Sequence, residues 1–187
     1  VSQSPSTDVA ALILAGGKAT RLGGIVKHEL VIEGATILAR QVAVLSPRVA
    51  EILVSSPTDI AGYRTVHDSI AGAGPIAGIA AGLSATAQPW LLVIAGDMPY
   101  LTSELIDALI AARGPELDAV GIRIGELAEP LCCMLHARCL AVVERRLAAR
   151  RFKASGLLTD EGLRVRWLTD ADPAALRNLN SPADLPK

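Results

Sequence analysis

The chain of 187 residues fits one domain of ordinary size, and at 51% hydrophobic it can bury a substantial core without cross-links. A formal charge of -1 gives no broad basic surface for wrapping nucleic acid, and an aromatic content of 3% removes most of the stacking platforms of single-strand binders. No uninterrupted apolar stretch approaches the roughly 18 residues that cross a bilayer, so the expectation is a soluble cytoplasmic protein with a small ligand, no nucleic acid partner and no membrane partner.

Residues 1–8, VSQSPSTD, are polar, lack the apolar segment of a secretory signal, and are expected to form a flexible tail before a single domain over 9–187. Val9 to Ala15, VAALILA, is a continuous apolar run ended by Gly16-Gly17, the pattern of a strand buried on both faces of a parallel sheet. Glu33-Gly34 marks a turn, after which Thr36 caps a helix carrying Leu38, Val42 and Leu45 until Pro47. Glu51 to Ser55 and Arg64 to Val66 read as strands, and Pro75 to Ala85 as a small-residue helix.

Trp90 to Ala95, WLLVIA, is a second buried strand, followed by the loop GDMPYLT and a helix from Ser103 to Ala112 with Leu105, Ile106, Leu109 and Ile110 inward. Leu117 to Ile124, Leu131 to Leu135 and Leu163 to Leu168 complete the strands, and Ala137 to Ala149 forms a helix with a charged outer face. Apolar strands alternating with amphipathic helices predict a three-layer α/β/α, Rossmann-like fold with a mostly parallel central sheet. Ligands of such sheets bind beyond the carboxyl ends of the strands, which places the loops after Ala15 and Ala95 on one edge.

Gly16, Gly17, Gly23 and Gly24 carry little side-chain bulk, so their N–H groups can approach phosphate oxygens, with Lys18, Arg21 and Lys27 adding positive charge. A solvated surface turn is the competing reading, and the spacing is not that of a Walker A loop. Gly72, Gly74 and Gly78 do not follow the first strand, which argues against a nicotinamide site. Close packing of a small-residue helix explains them equally well.

Asp97 follows a buried strand, where a carboxylate can reach a metal ion that bridges phosphates; capping is the alternative, although Thr102 and Ser103 are better placed to cap. Asn178 and Asn180 precede Ser181-Pro182, which suffices as a helix start, so the amides serve either a turn or a hard cation. Arg145, Arg146, Arg150, Arg151 and Lys153 form either a solvated face or an anion site. His28, His67 and His136 lack ligand spacing, and Cys132, Cys133 and Cys139 lack paired CxxC spacing and read as small buried hydrophobes.

Together these segments resemble the molybdenum cofactor guanylyltransferase family of the nucleotidyltransferase superfamily. The likeness rests on LAGGKATRLGG with Lys27, Asp68 before GPIAG, GDMP from Gly96 to Pro99, and NLNSPADL from Asn178 to Leu185, with weaker support from Glu129-Pro130-Leu131 and ARRFKASGLL. It implies GTP bound through Leu14, Ala15, Gly16, Gly17 and Lys27, Asp68 near guanine or ribose, and Mg2+ on Asp97 with Asn180. Arg21, Lys27 and Asp97 would be the catalytic groups. The acceptor implied is molybdenum-bound molybdopterin, its phosphate near Asn178, Asn180, Arg150, Arg151 and Lys153, with transient contact to molybdoenzymes or cofactor-insertion proteins. LAGG fits the guanylyl branch better than the LAAG of cytidylyltransferases. Val26 and His28-Glu29 depart from the family pattern around the lysine. The competing activities are molybdopterin cytidylyl transfer, sugar-phosphate nucleotidyl transfer, and noncatalytic GTP-dependent cofactor delivery.

Overall fold

The structure is a computed structural model that describes residues 6–16, 27–68, 70 and 72–179. Gly17, Lys18, Arg21, Gly23, Gly24, Val26, Asn180 and Ser181 lie outside the described residues, as does the side chain of Lys27.

In chain order the elements are β1 (Ser6–Leu14), β2 (Val31–Ile32), β3 (Ala35–Thr36), α1 (Ile37–Leu45), β4 (Val49–Ser55), β5 (Arg64–Val66) and α2 (Pro75–Ala85). There follow β6 (Trp90–Ala95), α3 (Ser103–Ala111), β7 (Ala119–Ile124), β8 (Leu127–His136), α4 (Leu140–Ala148) and β9 (Val165–Leu168). β1 begins at Ser6, three residues before the apolar run, with a register irregularity against β4 between Ser6 and Ala10.

The central sheet has seven strands in the order β5-β4-β1-β6-β8-β7-β9. All its pairings are parallel except those of β8, which runs antiparallel to both β6 and β7. An antiparallel neighbour needs no helical crossover. Gly125, with a φ of 57°, and Glu126 turn β7 directly into β8. The mostly parallel sheet expected from the sequence therefore holds one reversed strand, joined by a turn of two residues.

Alternate residues of each central strand feed opposite faces. Val9, Ala11 and Ile13 pack with Leu38 and Leu45 of α1 and Leu105, Ile106 and Leu109 of α3. Ala10 and Leu12 pack with Ile76, Ile79 and Leu83 of α2 and Val143 and Leu147 of α4. The three layers follow from this division. The hydroxyls of Thr36 and Thr102 accept the Ala39 and Leu105 amides at 3.1 and 3.3 Å, starting α1 and α3 where capping chemistry places them.

The segment 137–149 splits into a 3-10 turn at Ala137–Cys139 and then α4. Its charged residues are not all outward. Arg146 lies on the inner stripe with Val143 and Leu147 and is 3% exposed. Its guanidinium donates to the Gly156 carbonyl at 3.0 Å, the Lys153 carbonyl at 2.6 Å and Glu161 at 2.6 Å, so charge and hydrogen bonding offset its burial. Among the described residues no helix is long and apolar enough to cross a membrane.

Candidate functional site

A cleft of about 220 Å³ opens at the carboxyl ends of β1, β4 and β6, lined by residues 14–16, Ser55, residues 95–97 and the first turns of α2. The strands are joined there by backbone bonds: the Ala15 amide donates to the Ser55 carbonyl at 2.9 Å, and the Gly96 amide to the Leu14 carbonyl at 3.0 Å. A Cβ on Gly96 would stand 2.6 Å from the Leu14 carbonyl oxygen, so only glycine lets the two loops meet this closely. At Gly78 a Cβ would stand 2.6 Å from the Ser55 hydroxyl and 2.8 Å from Leu14, so the second glycine cluster brings α2 against the cleft floor.

Leu14, Ala15, Gly16, Asp68 and Asp97 all line this cleft, although they come from separate segments of the chain. Ser55 donates its hydroxyl hydrogen to Asp68 at 3.1 Å, which orients that carboxylate from the end of β4. The loop carrying Asp97 is held from below by α1. Buried Gln41 donates to the carbonyls of Ala95 and Met98 at 2.8 and 3.1 Å, and Arg40 donates to that of Pro99 at 3.2 Å.

Two further segments approach the Asp97 loop. The Leu179 amide donates to the Asp97 carbonyl at 2.9 Å, bringing the chain end to this loop, and the neighbouring Asn178 side-chain oxygen is buried without a hydrogen-bond partner. The antiparallel register that sets Ile94 opposite Cys132 brings Glu129 toward Asp97. Burial pushes the Glu129 carboxyl up and the Asp97 charge adds to this, against the lowering effect of the Leu131 amide.

A hard cation such as magnesium takes one or two carboxylates and completes its shell with substrate oxygens. The residues present fit that requirement: the Asp97 carboxylate stands in the cleft, and Asn178, whose side-chain oxygen is unpartnered, immediately precedes the residue whose amide bonds the Asp97 carbonyl. Among the described residues no group of three or more His, Cys, Asp or Glu side chains gathers to hold a metal, so the protein would supply a partial set.

Arg150, Arg151 and Lys153 do not line the cleft among the described residues. Arg151 is engaged by Glu161 at 2.7 Å, while Arg150 and Lys153 are exposed beyond the end of α4. All three cysteines are buried and free. Burial, with the charges of neighbouring groups, raises Cys133 and Cys139 to about 12 and Cys132 well above its ordinary value, which removes them as thiolate nucleophiles. A wider depression of about 870 Å³ lies at the opposite edge of the sheet, lined by Asp8, Trp90, Arg113 and His136. It sits at the amino ends of the strands, away from the loops that carry the acidic groups.

Sequence spacing alone did not select His28, Gln41, Ser55 or Glu129 for the site. Glu129 had a signal in the Glu129-Pro130-Leu131 segment, and Gln41 had one in its place three residues after Leu38 on the inner face of α1. His28 and Ser55 are brought in only by long-range folding.

Comparison with known proteins agrees with this geometry. The profile of the MobA-like NTP transferase domain matches residues 11–173. A probable molybdenum cofactor guanylyltransferase of Pelotomaculum thermopropionicum is 32% identical, covering 94% of this chain and 89% of that one. The molybdenum cofactor guanylyltransferase of Pseudomonas putida strain F1 is 31% identical over 93% and 94%. The crystal structure of molybdopterin-guanine dinucleotide biosynthesis protein A from Archaeoglobus fulgidus superposes with a TM-score of 0.76 at 22% identity, covering 94% of each chain. The fold, the edge on which the cleft opens and the match over most of the length agree: the chain belongs to the MobA-like NTP transferase family.

Proposed function

We propose that this protein transfers the GMP moiety of GTP to the terminal phosphate of molybdenum-bound molybdopterin, forming molybdopterin guanine dinucleotide and pyrophosphate. The observation that supports the reading is the gathering of Leu14, Ala15, Gly16, Asp68 and Asp97 from separate segments around one cleft at the carboxyl ends of β1, β4 and β6. Relatives named as molybdenum cofactor guanylyltransferases, similar over nearly the whole chain, supply the substrates.

An oxygen of the acceptor's terminal phosphate attacks the α-phosphorus of GTP in line, a new P–O bond forms, and the α–β bridging bond breaks as pyrophosphate leaves. A phosphate monoester is already anionic near neutrality, so no general base is required. What the reaction needs is positioning and charge compensation. The backbone of Leu14, Ala15, Gly16 and Gly17 cradles the nucleotide, and Asp68, oriented by Ser55, receives the hydrogen-bond donors of guanine or ribose.

Arg21 and Lys27 stabilise the departing pyrophosphate. Asp97, with Asn178 and Asn180, would hold magnesium, whose bound charge offsets that of the phosphates. Gln41 keeps the Asp97 loop at its height above the sheet. Arg150, Arg151 and Lys153, which stand outside the described cleft lining, receive the pterin phosphate together with Asn178 and Asn180, and the loaded product passes to molybdoenzymes or insertion proteins through transient contact. The setting for this chemistry is the cytoplasm.

The test is pyrophosphate release with molybdenum-bound molybdopterin, magnesium and GTP, CTP or UTP supplied singly. Release with GTP alone is expected. Preferential release with CTP would replace guanylyl with cytidylyl transfer.

A further inference from the structure

We propose that His28 contacts the phosphate chain of the bound nucleotide, a role that rests on the GTP-binding reading above. His28 stands in the 3-10 turn at Lys27–Glu29 and is 6% exposed. Its Nδ1 lies 3.2 Å from the Ala15 carbonyl oxygen. A carbonyl only accepts, so Nδ1 carries the hydrogen of this bond, and Nε2 is left as the available nitrogen.

Among the described residues Nε2 has no hydrogen-bond partner, and it is not among the atoms sealed from solvent without one. The ring lines the cleft together with Gly16, so a side chain more than nine-tenths buried opens its free nitrogen into the space at the end of β1. A histidine buried only for packing would have both nitrogens satisfied or enclosed.

The charges around the cleft identify the ligand atom. Among the described lining residues the ionisable side chains are Asp68, Asp97 and His28, and the Ser55 hydroxyl is spent on Asp68. His28 is the one of these that can present a cationic N–H to an anion. With hydrogens on both nitrogens it holds Ala15 through Nδ1 and donates through Nε2 to a phosphate oxygen of a nucleoside triphosphate.

Two isosteric substitutions separate this contact from a structural staple. In His28→Asn the amide N–H can keep the bond to Ala15, but nothing replaces Nε2. In His28→Gln the amide reaches the Nε2 position. Calorimetric binding of GTP and of guanosine is measured for the unaltered protein and both variants, with thermal unfolding alongside. His28→Asn is expected to weaken GTP by about tenfold or more, the loss of one charge-assisted hydrogen bond. Guanosine binding stays unchanged, and KM for GTP rises while kcat holds. His28→Gln is expected to recover most of the lost affinity.

Unchanged GTP affinity in a folded His28→Asn protein would overturn the proposal, as would equal losses for GTP and guanosine. If His28→Asn does not fold, GTP binding by His28→Gln decides, and a loss greater than tenfold there counts against the contact. Failure of the unaltered protein to bind GTP defeats the proposed function and this contact together. Failure confined to the variants' predicted behaviour leaves the proposed function standing.

Discussion

Glu161 and Glu129 are two carboxylates drawn into the body of the same fold, and the fold treats them in opposite ways. Burial pushes both up. At Glu161 the hydrogen bonds and charges of Arg146 and Arg151 outweigh it and hold the carboxyl below its ordinary range. At Glu129 burial prevails, strengthened by the nearby Asp97 charge, and the carboxyl is raised. The first group is matched to cations and fastens the chain after α4 to the helix. The second adds negative charge beside Asp97, an arrangement that costs stability unless a cation arrives.

The largest expected effect falls on the unmatched side. Asp97→Ala should lower turnover on the order of a hundredfold to a thousandfold, the range for losing an electrostatic stabiliser of the reacting phosphates. Its urea unfolding midpoint should stay nearly unchanged, because Asp97 stands in a cleft and not in the packed core. Steady-state kinetics and equilibrium unfolding on the same preparation separate the two. Guanylyl transfer at the unaltered rate would remove Asp97 from the site.

Glu161→Gln should reverse that pattern. It leaves the Arg146 charge 3% exposed and without its carboxylate, a change that costs about 3 kcal/mol in unfolding free energy. Turnover of the folded fraction should change little. The pH dependence carries a sign: because the folded carboxyl is lowered, its stabilisation is complete above the ordinary value of 4.5 and is lost as pH falls through the lower folded value. The stability difference between Glu161→Gln and the unaltered protein should therefore shrink in acid. A constant difference down to strong acid would contradict the ion-pair account.

Glu129→Gln should give the smallest effect. A raised carboxyl ionises less readily in the folded chain, so above 4.5 its charge subtracts stability, and the neutral amide should leave stability equal or raise it by less than about 1 kcal/mol. Clear destabilisation, read by urea unfolding at neutral pH, would show that Glu129 is held by partners as Glu161 is.

The same contrast explains what could be read from the sequence. β6 and α2 have the boundaries that their apolar pattern and flanking residues mark, and Thr36 and Thr102 cap where their hydroxyls precede helical periodicity. Those signals are local. The direction of β8 was not legible, because an apolar run of strand length reads alike in either direction; only the two-residue connection at Gly125 and Glu126 carries that information. The small hairpin of β2 and β3 leaves just the Glu33-Gly34 turn as its trace.

Arg146 looks like any solvated arginine until Glu161, 15 residues later, folds back onto it. In the site, Asp97 was legible because it follows a strand and lacks a capping duty, and Asp68 only through the family resemblance carried by the GPIAG segment that follows it. His28 and Ser55 were not, since their roles depend on a carbonyl and a carboxylate that meet them only across the sheet edge. Asn180 lies outside the described residues, and the buried, unpartnered oxygen of Asn178 is a property that spacing does not encode.

The most direct test is identification by mass of the product formed from GTP, magnesium and molybdenum-bound molybdopterin, with pyrophosphate measured in the same reaction. Guanylyl transfer predicts molybdopterin guanine dinucleotide and pyrophosphate in equal amounts. GTP bound but returned intact, with no dinucleotide formed, would contradict it.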